Sequence, residues 1–208
     1  MIRLNALGDS FVEGRGATGP AGAWYGWVPR LAGLLDVPEG RVRNLGTYQA
    51  TTQQVVEEQL PRALADKSPV IGVVAGVNDL VGDFAPDRFR DNLATIFGQL
   101  AGADTLVFTA DYADIPANLP VPGAFRALLR ERFALANEML RAVTEATGVL
   151  CVDVAADAEW ARPGMWSPDG LHPSARGHQR FAERVAELIG QATAGAPYDQ
   201  RCREEGRT

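Results

Sequence analysis

Only two histidines occur among the 208 residues, and one of them stands in Asp169-Gly170-Leu171-His172-Pro173. One histidine with a carboxylate three residues earlier cannot assemble a multi-histidine metal site. It can make a base with an orienting partner. At the other end of the chain, Gly8-Asp9-Ser10 follows an apolar run, and a serine hydroxyl becomes a useful nucleophile once a base takes its proton. Ser10, His172 and Asp169 are therefore read as nucleophile, base and orienter for acyl transfer. Negative charge that develops on a carbonyl oxygen needs donors aimed at it. The Ser10 backbone N–H and the side-chain amide of Asn78, in Gly76-Val77-Asn78-Asp79, are the candidates. His178 falls in the first turns of the last helix, is expected to be partly exposed, and is not the candidate base.

Those residues need a scaffold, and the composition allows one well-filled domain rather than two. Apolar residues at 46% and charged residues at 22% are near globular averages. A net charge of −6 argues against nucleic acid or an anionic membrane surface as a partner. The longest apolar stretches fall short of a membrane span, and Ile2–Leu7 opens the chain with no charged leader or signal core. The expectation is a cytoplasmic protein. Cys151 and Cys202 suggest neither a disulfide framework nor a metal site, and Cys151 reads as a small buried hydrophobe. No metal or organic cofactor is expected.

The positioning elements follow from periodicity. Ile2–Leu7, Val42–Leu45, Val70–Ala75, Thr105–Thr109 and Val149–Val154 read as strands, mostly continuous apolar runs of the kind covered on both faces. Between them, Trp24, Trp27, Val28, Leu31 and Leu35 make a helical stripe with Pro29 in its first turn. Thr51 or Thr52 caps a helix carrying Val56, Leu60 and Leu64 that Pro61 interrupts. Pro86 starts a third helix. A long one spans about Gly123 to Thr147, with Phe125 on its apolar stripe and Gly148 as the stop. The last helix begins at Ser174. Alternation of strand and helix implies parallel strands joined by right-handed crossovers, with helices on both faces. In such sheets ligands bind beyond the carboxyl ends of the strands, and there the polar blocks collect.

Four blocks in this order, Gly8-Asp9-Ser10, Asn44 to Thr51, Gly76-Val77-Asn78-Asp79 and Asp169-x-x-His172, resemble the SGNH hydrolases, also called the GDSL lipase/acylhydrolase family. The resemblance covers roughly residues 2–190. It implies a three-layer α/β/α sandwich with a five-stranded parallel sheet in the flavodoxin-like order 2-1-3-4-5. It also implies a cofactor-free serine esterase or acylhydrolase that cleaves a small-molecule acyl ester through an acyl-serine intermediate. The family's serine falls on Ser10, its asparagine on Asn78, and its Asp-x-x-His pair on Asp169 and His172. The family's glycine, which lends a backbone N–H to the oxyanion hole, falls on Gln49. That departure favours the alternative, a non-catalytic ligand-binding domain that keeps the fold; the intact Ser10, Asn78, Asp169 and His172 argue against it.

Ordinary structural roles account for the remaining polar and aromatic residues. Asp9 and Asp79 lack a paired partner and are read as structural hydrogen-bonding groups. The connection Asp111–Pro122 follows the fourth strand, carries three prolines, and is weighed equally as a semi-rigid wall over the site and as a surface loop. Gly76, Leu119 and Trp166 are the substrate-contact candidates. Residues 1–190 are taken as the hydrolase domain and 191–208 as a polar, mobile tail.

Overall fold

A computed structural model describes residues 2–19, 22–66 and 68–194. The first four residues of the expected tail, 191–194, are not a tail but continue the last helix; the rest, 195–208 with Cys202, lies outside the described residues.

Five short strands build one parallel sheet: β1 (Leu4–Gly8), β2 (Val42–Asn44), β3 (Val70–Val74), β4 (Leu106–Ala110) and β5 (Leu150–Val152). Their order is 2-1-3-4-5, with every neighbour parallel. β1 and β3 are buried at every position, which explains their uninterrupted apolar sequence: neither face meets water. The strands begin and end within two residues of their apolar runs.

The helices are α1 (Ser10–Glu13), α2 (Trp27–Leu34), α3 (Thr52–Gln54), α4 (Leu60–Ala65), α5 (Val77–Val81), α6 (Pro86–Leu100), α7 (Gly123–Thr147) and α8 (Ala175–Ala194). Right-handed crossovers in this strand order send α2 and α8 to one face and α4, α6 and α7 to the other. Trp27, Phe108 and Phe181 meet edge-to-face under the first layer. Phe89, Ile96 and Phe97 of α6 and Leu129 and Leu140 of α7 are buried in the second.

Several elements differ from their sequence reading for local reasons. Trp24 is not in α2 and is 44% exposed; it pairs with Thr18 in an antiparallel bridge, and Gly26 caps the helix that starts at Trp27. Pro29 does lie in the first turn. Pro61 does not end its helix. The turn before it widens into a π-turn, Val55–Gln59, in which the Leu60 N–H reaches back to the Val55 carbonyl, giving room for a ring that cannot donate and would crowd a regular turn. Thr51 caps that run through a reciprocal box with Gln54. Phe125, expected on the buried stripe of α7, is 39% exposed.

Candidate active site

The nucleophile candidate sits at a forced bend. Gly8 ends β1 with φ of 146°, and a Cβ there would collide with the Val74 carbonyl and the Val12 side chain. Only glycine lets β1 stay in register with β3 and turn at once into α1. Asp9 caps α1 by accepting the Phe11 N–H at 2.9 Å. Ser10 is then the first helical residue, with its N–H unable to find an intrahelical acceptor and its side chain at the carboxyl edge of the sheet.

A side chain from the far end of the π-turn steadies this bend. The buried Gln59 amide donates to the Gly8 carbonyl at 2.9 Å and accepts the Gly8 N–H at 2.7 Å. The Thr47 N–H also reaches the Gly8 carbonyl, at 3.1 Å, so the second block hangs on the same residue. Nothing in the sequence pattern singles out Gln59, because a lone glutamine on a helix is usually a solvated one; its only signal is its place on the apolar phase with Val55, Leu60 and Ala63.

At the other side of the edge, His172 Nε2 stands 2.9 Å from Ser10 Oγ, and His172 Nδ1 stands 2.6 Å from Asp169 Oδ2. With Nδ1 carrying the proton toward the carboxylate, Nε2 presents its lone pair to the serine. Asp169 is itself held firmly. Its Oδ1 accepts the Ser167 hydroxyl at 2.7 Å and the N–H groups of Leu171 and His172 at 2.9 and 3.0 Å. Burial alone would raise this carboxyl, but the His172 ring and N–H, Ser167 and Leu171 outweigh it and hold the group well below the usual carboxylate range. Ser167 is a residue the sequence reading missed; a serine two positions before an Asp-Gly turn is too common to stand out.

Asn78 opens onto the same edge. Gly76, at φ 120°, caps α5, and a side chain there would strike the Tyr112 hydroxyl and the Phe89 ring. One Asn78 amide hydrogen goes to the Ala50 carbonyl at 3.0 Å, which orients the group and leaves its second hydrogen free for a ligand. Asp79, buried beside it, accepts the Thr52 N–H at 2.9 Å and the Thr52 hydroxyl at 2.7 Å. Burial raises the Asp79 carboxyl, against the pull of those Thr52 bonds. The pair ties the start of α3, and with it the loop carrying Gln49, to the third block. Gln49 is exposed and left-handed, with φ of 63°.

His178 is not partly exposed. It is fully buried, its ring against Phe11 at 5.0 Å, its Nδ1 accepting the Trp27 N–H at 3.1 Å and its Nε2 donating to the Arg15 carbonyl at 2.8 Å. Burial pushes its pKa down to about 4. It is neutral and committed to two backbone groups, so it has no free nitrogen for a substrate. Asp9 is also buried and shifts the other way: burial, with the Asp79 charge adding to it, raises its carboxyl to about 7 against the Phe11 N–H bond.

A narrow cavity of about 60 Å³ opens between these groups. Ser10, Asn78 and His172 share it with buried apolar side chains from the β4 and β5 connections, among them Tyr112, Ile115, Trp160 and Trp166. Of the substrate-contact candidates, Trp166 lines it; Gly76 and Leu119 do not. Gly76 lies beneath, under the Tyr112 hydroxyl, and Leu119 packs partly buried against the core. One side of the cavity comes from the earlier half of the Asp111–Pro122 connection, where Ile115–Ala117 forms a 3-10 turn. Cys151 is half-buried and outside the cavity, its thiol pushed to about 11 chiefly by burial. Among the described residues, no group of three His, Cys, Asp or Glu side chains is placed to hold a metal ion, and no helix is long and apolar enough to cross a membrane.

Comparison with known proteins bears on the family and the fold. A model of the GDSL-like Lipase/Acylhydrolase family matches residues 6–180. Solved structures share the fold at low identity. LAE5, an alpha/beta hydrolase enzyme from the metagenome of Lake Arreo, is 23% identical with a TM-score of 0.72, covering 91% of this chain and 95% of its own. Axe2, an acetylxylan esterase from Geobacillus stearothermophilus, is 19% identical with a TM-score of 0.69, covering 91% and 94%. A lipase/acylhydrolase from Enterococcus faecalis is 21% identical with a TM-score of 0.68, covering 92% and 97%. No curated protein sequence matches this chain.

Proposed function

Because this chain belongs to the GDSL-like lipase/acylhydrolase family and is an esterase or acylhydrolase, we propose that Ser10 is its nucleophile, His172 its base and Asp169 the orienter of that base. The observation that carries this reading is the unbroken chain from Asp169 through His172 to Ser10, at 2.6 and 2.9 Å. The substrate is a carboxylic ester. As Ser10 Oγ bonds to the carbonyl carbon, its proton passes to His172 Nε2, and Asp169 stabilises the imidazolium that results. The carbonyl oxygen becomes an oxyanion held by the Ser10 N–H, the free amide hydrogen of Asn78 and the N–H of Gln49.

When the tetrahedral intermediate collapses, the ester C–O bond breaks and His172 returns its proton to the departing alkoxide. A water then repeats the sequence on the acyl-serine: His172 takes one proton, the carboxylic acid leaves, and Ser10 recovers its own. The acyl group occupies the cavity beside Trp166, where apolar walls suit a hydrocarbon chain. Two structural neighbours are named for ester hydrolysis, on acetylxylan and on lipid or acyl substrates, which supports the reaction class and leaves the alcohol open.

A fluorophosphonate probe tests this reading directly. It is expected to label the wild-type protein at Ser10 and to leave Ser10→Ala unlabelled, with ester turnover lost in step. Equal labelling of Ser10→Ala, or turnover that survives the substitution, would overturn it.

A further inference from the structure

The cavity at Ser10 has a neighbour. A second cavity, of about 190 Å³, lies on the far side of the β4 and β5 connections. Ala113, Val154 and Trp160 line both cavities. Of these three, Trp160 carries by far the largest side chain. Beyond it the second cavity is an open groove of small, exposed side chains, Ala117, Ala155, Ala158 and Ala161, lined as well by Asp114, Asn118 and Asp157.

We propose that Trp160 is the partition that sets acyl-chain length in this enzyme: it closes the Ser10 cavity at a short acyl group and keeps longer chains out of the open groove behind. The inference rests on the reading of Ser10 given above and adds the class of substrate, esters of short carboxylic acids.

The indole is well fixed for such a role. Trp160 is 5% exposed and meets Trp166 edge-to-face, with ring centroids 5.4 Å apart. The Trp166 Nε1–H donates to the Trp160 backbone carbonyl at 2.8 Å, so the two rings are locked through main chain as well as through packing. The 3-10 turn Ala158–Ala161 is capped by Asp157, which accepts the Glu159 N–H at 3.0 Å and pairs with Arg180 at 3.0 Å. Removing the Trp160 side chain leaves all three of those polar contacts intact, because they belong to its carbonyl and to its neighbours. A wall whose ring is removable without unpicking its supports makes a clean test.

The experiment measures kcat/KM over a series of esters of one alcohol, with straight acyl chains from acetyl to dodecanoyl. In the wild type, kcat/KM is expected to fall steeply once the chain outgrows the Ser10 cavity. Trp160→Ala is expected to join the two cavities and raise octanoyl relative to acetyl by roughly 10-fold or more. Adding Ala158→Phe to that variant refills the space behind and is expected to restore the short-chain preference. If Trp160→Ala fails to fold, Trp160→Leu makes the same opening smaller and is expected to shift the profile part of the way. Acetyl turnover retained with an unchanged length profile would overturn the partition while leaving the Ser10 reading standing. Turnover of either ester that survives Ser10→Ala would overturn the Ser10 reading instead, whatever the profile does.

Discussion

His172 and His178 stand six residues apart and share one segment, yet they belong to different regions of the molecule. His172 is on the rim of the sheet edge, with one nitrogen toward Ser10 and the other on Asp169. His178 lies behind the rim, fully buried, with both nitrogens spent on the backbone of Trp27 and Arg15. The same division runs through the carboxylates. Asp169 keeps half its side chain in solvent while its oxygens are saturated by donors; Asp9 and Asp79 are buried, and burial raises them both. Residue type does not assign the role. What assigns it is whether a polar atom is left over after the fold has taken what it needs.

The sharpest way to break that division is to remove each histidine. His172→Ala is expected to lower kcat by roughly 10⁴-fold or more with little change in melting temperature. Asp169→Asn should cost less, on the order of 10²–10⁴-fold, since the imidazole survives with a poorer orienter. His178→Ala is expected to do the reverse. It leaves the Trp27 N–H and the Arg15 carbonyl without partners and opens a void against Phe11, destabilising the protein by roughly 2–4 kcal/mol. Turnover per folded molecule should stay within several-fold. Kinetics paired with thermal unfolding decide the matter; a His178→Ala protein as inactive as His172→Ala, yet fully folded, would erase the distinction between rim and interior.

Titration sharpens the comparison within the interior. His178 has its pKa depressed from 6.5 to about 4, so the unfolded chain binds more protons than the folded one in that window. The stability it contributes is complete above pH 6.5 and is lost as pH falls toward 4. Asp9 is raised from 3.8 to about 7, so there the folded chain binds more protons. Its contribution is complete below pH 3.8 and is lost as pH rises toward 7. The two slopes oppose each other over nearly the same range. Asp79, raised by burial in the same direction, adds to the Asp9 slope, so the wild-type melting temperature should fall gently as pH rises from 4 to 7, with His178 offsetting most of the drop. Asp9→Asn, which keeps an acceptor for the Phe11 N–H, is expected to expose the acid lability of His178; a profile unchanged from the wild type would show that Asp9 ionises normally.

The rim was easier to read from sequence than the interior, for a physical reason. Strands covered on both faces must be apolar throughout, so β1 and β3 announced themselves, and the polar blocks after them marked the edge where a parallel sheet binds ligands. The supports behind it are made by contacts between distant segments. Gln59 clamps Gly8 across 51 residues, and Asp79 holds Thr52 across 27; no local pattern encodes either. His178 is a different case. It shares a helical face with Phe181, Ala182, Val185 and Ile189, so its burial was written in the periodicity of α8 and was overlooked because histidine is polar. Trp24 erred in the opposite direction, since it fits the stripe of α2 but precedes the helix.

Gln49 is the position where the two regions meet in one residue, and its substitution carries the smallest expected effect. Its side chain is exposed, like the rim, but its backbone is left-handed, a conformation that destabilises a non-glycine residue by about 1 kcal/mol or somewhat more. If the oxyanion donor is the main-chain N–H, the side chain is dispensable. Gln49→Gly then relieves the left-handed strain but gives the unfolded chain more freedom, about 0.5–1 kcal/mol in the opposing sense. The net change in stability is expected to lie within about 1 kcal/mol, and acetyl-ester turnover within a few-fold. Gln49→Ala, which keeps the strain and removes the same amide, should match it in turnover and be slightly less stable. A fall of about 10²-fold or more on every ester in both variants, with the fold intact, would mean that the glutamine amide itself binds the oxyanion. The rim would then supply two side-chain donors, from Gln49 and Asn78, and the left-handed backbone at 49 would serve to aim a side chain rather than to present an N–H.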